Sequence, residues 1–81
     1  MSEAEIRSAV FKTLRKIAPE ADLDQIRPDE NLREALDIDS FDFLNAMIGL
    51  NEELNVEIPE SDYRKVATLG ELTRYLSERL K

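Results

Sequence analysis

The sequence contains no cysteine, no histidine and no tryptophan. Disulfides, thiol nucleophiles and zinc sites built from cysteine and histidine are therefore excluded, and no histidine can activate a serine or threonine hydroxyl. Asp37-x-Asp39 is similar to the start of a calcium-binding loop, but Asp42 stands where that loop needs glycine and Ile48 where it needs glutamate. We therefore predict no metal site and do not expect a self-contained enzyme.

Positive charge and long apolar runs are also scarce. The chain has 11 basic and 18 acidic side chains, and segment 18–63 holds fourteen acids but only two bases. Nucleic acid and anionic membrane surfaces are disfavoured as partners because Lys and Arg must neutralise their phosphates; a basic protein surface is favoured. The longest apolar stretch, residues 46–50, is far below the roughly 20 residues of a membrane helix. With no signal-peptide pattern, we expect a cytoplasmic protein without membrane insertion. We also expect it to be a monomer.

Helical spacing of apolar residues predicts helices at about 3–17, 40–54 and 69–80, and Pro59 and Glu60 can start a minor helix at 60–66. The stretch 18–39 lacks a sustained period and is expected to be a long, ordered connection with room for one helical turn. These elements predict an all-α fold, a small bundle of three to four helices with a long first loop, formed by one domain of residues 1–81.

Local residues support these boundaries. A side chain that can accept hydrogen bonds from first-turn N–H groups stands at the start of three predicted helices. These capping residues are Ser2, Thr68 and either Asp39 or Ser40. Val56 and Ile58 alternate with polar residues before a proline, which indicates an extended connector with two buried side chains rather than a paired strand.

The helix at 40–54 has two apolar stripes, about 115° apart on a helical wheel. Phe43, Met47, Leu50 and Leu54 form the first stripe, which is expected to face the core. Phe41, Leu44 and Ile48 form the second, which either contacts the long loop or is exposed for a partner. Gly49 belongs to neither stripe and marks either a flexible point or a close approach of another helix.

Ser40 lies at the start of this helix, where a serine ordinarily serves as a cap. Its surroundings indicate another role. Leu36-Asp37-Ile38-Asp39-Ser40-Phe41, followed by an acidic helix and an alternating apolar segment that ends in Ile58-Pro59, resembles the acyl carrier protein family. The similarity continues upstream through residues 26–32 and downstream through residues 66–72, and so covers nearly the whole chain.

The resemblance implies that a phosphopantetheinyl transferase attaches 4′-phosphopantetheine from coenzyme A to the Ser40 hydroxyl. The arm would carry acyl groups as thioesters to enzymes of fatty acid, lipid or polyketide-type synthesis, so the protein would be a carrier and not a catalyst. Partner enzymes would dock through basic patches. The residues expected to contact them are Asp39, Phe41, Asp42, Leu44, Ile48 and Glu52.

The sequence also departs from the family pattern. Asp37 replaces a usual glycine, so the loop before Ser40 is expected to differ in backbone conformation, and Phe41 replaces a leucine. Asn45 and Asn51 stand where fatty-acid carriers place glutamate, which favours a specialised carrier over the housekeeping one. Two alternatives stay open: a noncovalent acidic helical adaptor in which Ser40 only caps a helix, and an aminoacyl or peptidyl carrier.

Overall fold

Four α-helices and two short 3-10 helices make up the computed structural model, which describes residues 1–80. The α-helices are α1 (Glu3–Ile17), α2 (Leu32–Leu36), α3 (Ser40–Leu54) and α4 (Leu69–Arg79), and the 3-10 helices are Leu23–Gln25 and Glu60–Val66. Residues 1–80 contain no strand, only an isolated bridge between Asn31 and Thr68. The predicted all-α class is confirmed; Lys81, part of the expected domain 1–81, lies outside the described residues.

Side-chain caps set where the long helices begin. Ser2 and Glu5 exchange hydrogen bonds at the start of α1, and Thr68 and Glu71 do the same at the start of α4. Each such pair satisfies two backbone N–H groups that the first helical turn leaves without partners. The caps predicted at Ser2 and Thr68 are confirmed.

The connection between α1 and α3 differs from the prediction because it holds two short helices, where one turn was expected. Asn31 caps α2 by accepting a 3.1 Å hydrogen bond from the backbone N–H of Glu34. With five residues, α2 is too short to show a helical period in the sequence. Residues 60–66 form a 3-10 helix, and the last helix ends at Arg79, one residue earlier than predicted, with Leu80 as its cap.

The core lies where α1 packs against α3 and α4. The first stripe of α3 is buried as predicted, and so are Val56 and Ile58 in the extended connector. Gly49 allows α3 to approach α1 closely, because an added Cβ would lie 3.0 Å from Cγ2 of Thr13. The close-approach interpretation of Gly49 is therefore confirmed. Across residues 1–80, no helix combines the length and the hydropathy that crossing a bilayer requires.

Candidate functional site

A left-handed turn at Asp37 directs the chain from α2 into α3. Asp37 has φ 54° and ψ 48°, and the backbone N–H of Ile38 donates a 3.0 Å hydrogen bond to the carbonyl of Arg33. Glycine adopts this conformation at the lowest cost, although aspartate tolerates it better than most residues. A glycine at this position could follow the same path, so the presence of Asp37 does not by itself require a different loop.

Asp39, rather than Ser40, is the N-cap of α3. Its Oδ1 accepts a 2.9 Å hydrogen bond from the backbone N–H of Asp42. Ser40 is the first residue of the helix; it is exposed, and its hydroxyl makes no hydrogen bond to any other residue within 1–80. The hydroxyl is therefore free for chemistry with a group outside the chain, and the interpretation of Ser40 as a cap is wrong.

Ser40 opens onto a groove of about 460 Å³ between the start of α3, the start of α2 and the second 3-10 helix. Its apolar wall includes Phe41, Phe43, Leu44 and Tyr63. The groove also has charged residues: Arg33, Glu60 and Arg64. A volume of this size falls in the usual range for small-ligand sites, which combine apolar walls with a few polar groups.

Two aromatic residues that line the groove pack against each other. The rings of Phe43 and Tyr63 pack edge to face, with centroids 5.6 Å apart. Burial raises the pKa of Tyr63 above its ordinary value of 10.0, and the negative charge of Glu60 adds to the increase. The phenol therefore stays neutral at physiological pH and offers a hydroxyl beside the groove.

The second stripe of α3 is only partly covered. Phe41 is 66% exposed and Ile48 is 47% exposed, whereas Leu44, which lines the groove, is half-buried. Glu52 follows Ile48 by four residues and is exposed on the same face. An apolar stripe that solvent reaches, bordered by an acid, can form a contact with another protein.

The structure brings only some of the expected site residues together. Ser40, Phe41 and Leu44 share the groove, whereas Asp42 lines a separate depression on the side of α3 that faces Asp37. Ile48 lies two turns beyond Ser40 along the helix, roughly 12 Å at the usual rise per residue. Phe41, Leu44, Ile48 and Glu52 therefore form a line along one face of α3, whereas Asp39 precedes the helix and Asp42 lies on another side of its first turn.

Sequence reasoning missed the residues that the rest of the chain contributes to the groove. Arg33 comes from α2, and Tyr63 and Arg64 come from the second 3-10 helix. One signal was available for Arg33, because it is one of two basic residues in the acidic segment 18–63. No local pattern links Tyr63 or Arg64 to Ser40, since their proximity depends on the fold.

This chain is similar to known proteins over most of its length. The model of the family described as "Phosphopantetheine attachment site" matches residues 8–76. An acyl carrier protein of Wolinella succinogenes is 28% identical over 71 residues, which cover 84% of this chain and 93% of that protein. An acyl carrier protein of Lactobacillus johnsonii is 38% identical over 55 residues, which cover 68% of this chain and 69% of that protein.

Proposed function

This chain belongs to the phosphopantetheine-binding acyl carrier protein family, and from that premise we propose that it carries acyl groups on an arm attached to Ser40. The family's domain is the attachment site of covalent 4′-phosphopantetheine. One observation supports Ser40 as the attachment residue. Its hydroxyl is exposed at the first position of α3, and it is not needed as a cap because Asp39 caps the helix. When bound, the group supplies a thiol that holds acyl groups as thioesters.

The chain's own residues fit this role. No cysteine is present, so a thiol must be supplied from outside. The chain has no histidine, and the neighbouring Asp39 carboxylate already accepts from the backbone N–H of Asp42, so we assign the base that activates Ser40 to the transferase. Ser40 Oγ forms a bond to the phosphorus of coenzyme A that bears the arm. The diphosphate bond at that phosphorus breaks, adenosine 3′,5′-bisphosphate leaves, and the hydroxyl proton passes to the transferase. The protein itself is thus a carrier and no catalyst.

Partners would dock on the line along α3 and on the two acidic residues at the start of the helix. Phe41, Leu44 and Ile48 would contact apolar surface on a partner, and Asp39, Asp42 and Glu52 would face its basic side chains. The exposure of Phe41 and Ile48 supports this assignment, because monomeric proteins seldom leave large apolar side chains in a row on one helix face. The partners would be a phosphopantetheinyl transferase and the synthases or acyltransferases of fatty acid, lipid or polyketide-type pathways.

Two asparagines on α3 support a specialised carrier. Asn45 and Asn51 are exposed, so the surface that basic patches would contact carries less negative charge than it would with glutamate at these two positions. Each missing exposed ion pair is worth about 0.2–1 kcal/mol. We infer one carrier domain of residues 1–81, acting as a cytoplasmic monomer; the family match over residues 8–76 and the shared core support the single domain.

Intact mass spectrometry tests the attachment. The protein is incubated with coenzyme A, magnesium and a broad-specificity phosphopantetheinyl transferase, beside Ser40→Ala and the matched control Ser61→Ala, which changes another exposed serine. We expect the mass of one phosphopantetheine to be gained by the wild type and by Ser61→Ala but not by Ser40→Ala. No gain in any sample would favour the noncovalent adaptor, and a gain in Ser40→Ala would place the arm elsewhere.

A further inference from the structure

Two arginines without ion pairs face the groove beside Ser40. Arg33 and Arg64 both line this groove, and both side chains are exposed. Neither forms an ion pair with a carboxylate in residues 1–80. Their neighbours behave differently: Arg27 pairs with Asp29 and Glu30, and Lys65 pairs with Asp62. The groove therefore contains two free guanidinium groups in a protein whose formal net charge is −7.

The charge balance of the groove favours an anion. Its lining includes one carboxylate, Glu60, against the two arginines. The first turn of α3 adds positive potential at Ser40, since its N–H groups point out of the helix end. Asp39 and Asp42 offset part of that potential, but neither lines the groove. Guanidinium groups bind phosphate oxygens in a bidentate manner, and such hydrogen bonds are stronger than those between neutral groups.

We propose that Arg33 and Arg64 bind the phosphodiester of the arm attached to Ser40 and so fix the direction in which the arm leaves the protein. This inference rests on the proposed function, because an arm on the Ser40 oxygen places its phosphodiester at the mouth of this groove. The apolar wall beyond the arginines would then contact the arm's methyl and methylene groups. Arg33 and Arg64 are positioning residues, since they act on the arm and not on the thioester.

Phosphorus NMR of the modified protein tests the inference directly, because the modified chain contains one phosphorus atom. The double variant Arg33→Gln with Arg64→Gln removes both groove arginines. The control double variant Arg27→Gln with Lys65→Gln removes the same charge from the same two regions outside the groove. All four residues are exposed, so substitutions to Gln should leave the fold intact, and a thermal melt checks this.

We expect the phosphorus shift of the groove variant to move from the wild-type value towards that of urea-unfolded modified protein. Nuclear Overhauser effects between the arm's methyl protons and the Tyr63 ring should be lost in the same sample. The control variant should match the wild type in both measurements. Added salt should move the wild-type shift in the direction of the groove variant, because screening weakens exposed ion pairs.

Three results would overturn the inference. If the groove variant superimposes on the wild type, the arginines do not bind the phosphodiester. If the phosphorus shift changes equally in both double variants, the phosphodiester responds only to the net charge of the protein and not to the two groove arginines. Failure of wild-type protein to gain mass with the transferase would overturn the proposed function as well. A mass gain with superimposable spectra would overturn this inference alone, so the two failures are distinguishable.

Discussion

The carboxylate of Asp39 accepts a 2.9 Å hydrogen bond from the backbone N–H of Asp42, and this bond leaves the intervening Ser40 hydroxyl without a capping role. Replacing an N-cap by alanine costs about 0.5–2 kcal/mol, whereas an exposed substitution without such a role stays within about 0.5 kcal/mol. We therefore expect Asp39→Ala to lower the free energy of unfolding measurably and Ser40→Ala to leave it nearly unchanged. Urea unfolding followed by circular dichroism measures both.

Asp39→Asn is the matched control for this prediction, because its side-chain oxygen can still accept from the Asp42 N–H. Its stability should lie close to that of the wild type. A loss in Ser40→Ala as large as that in Asp39→Ala would contradict the capping assignment and return Ser40 to a structural role.

The packing of Gly49 on Thr13 gives a second prediction. Alanine is favoured over glycine in a helix by about 1 kcal/mol, but here its Cβ would lie 3.0 Å from Thr13 Cγ2. Thr13 is buried and β-branched, so its methyl group has little freedom to move. We expect Gly49→Ala to destabilise the wild type and to stabilise a Thr13→Ser background, which lacks Cγ2.

A double-mutant cycle by urea unfolding measures this coupling between α1 and α3. Contacting residues typically show interaction energies of about 0.5–3 kcal/mol. Additive effects of the two changes would mean that Thr13 Cγ2 does not oppose a Cβ at position 49, and would contradict this prediction.

The sequence predicts those structural features that depend on residues close together in the chain. Ser2 and Thr68 could be recognised as caps because each bonds to a residue three positions away. The buried stripe of α3 was visible because its spacing repeats over about three turns. Five-residue α2 gave no such repeat, and the groove walls at Arg33 and Arg64 come from segments about thirty residues apart in the chain. Arg33 reaches the groove through the turn that joins α2 to α3, and Arg64 reaches it because the second 3-10 helix packs beside α3 through Tyr63 and Phe43.

The loop before Ser40 is an intermediate case. Its sequence showed that Asp37 is unusual, but not that this residue adopts φ 54° at the end of α2. Asn55 adopts a similar left-handed conformation, with φ 55°, at the end of α3. Both helices end at a polar residue that tolerates the left-handed conformation, in a position where glycine is more common. An Asp or Asn just after the last residue of a helix is therefore a sequence signal for this conformation, as glycine is.

The pH dependence of stability is expected to reflect a hydrogen bond between the second 3-10 helix and α4. The Tyr75 hydroxyl donates to Asp62 Oδ2 at 2.7 Å. This bond, aided by Lys65 and Arg79, lowers the pKa of Asp62 below its ordinary 3.8. Burial, and then the same bond, raises the pKa of Tyr75 above its ordinary 10.0.

The two shifts act at opposite ends of the pH range. Asp62 contributes stability at pH values above its pKa in the unfolded chain, and this contribution is lost as the pH falls through the lowered pKa of the folded protein. Tyr75 contributes stability at pH values below its pKa in the unfolded chain, and this contribution is lost as the pH rises through the raised pKa of the folded protein. The stability difference between wild type and Tyr75→Phe should therefore be constant from about pH 5 to 9 and shrink on both sides. Tyr63→Phe, which removes no bond to a carboxylate, should show no acid-side decrease. A difference that does not change at low pH would contradict the assigned bond.

Met47 and Ile48 are neighbours on α3 with opposite environments, 1% and 47% exposed. Truncating a buried methionine to alanine costs about 2–5 kcal/mol, whereas an exposed change is usually within about 0.5 kcal/mol. We expect Met47→Ala to destabilise the protein strongly and Ile48→Ala hardly at all in urea unfolding. Equal losses would mean that the second stripe belongs to the core and is not available to a partner.

Ile48→Lys tests whether that exposed stripe is used for docking. A lysine there would replace apolar contact area and present a positive charge to a basic patch, so we expect slower modification by the transferase at unchanged stability. The initial rate of mass gain at limiting transferase measures the effect. Gln25→Lys adds the same charge at an exposed position away from α3 and should be modified at the wild-type rate. If Ile48→Lys is modified as fast as Gln25→Lys, the transferase docks without this stripe, and docking through α3 would have to rest on Asp39, Asp42 and Glu52 alone.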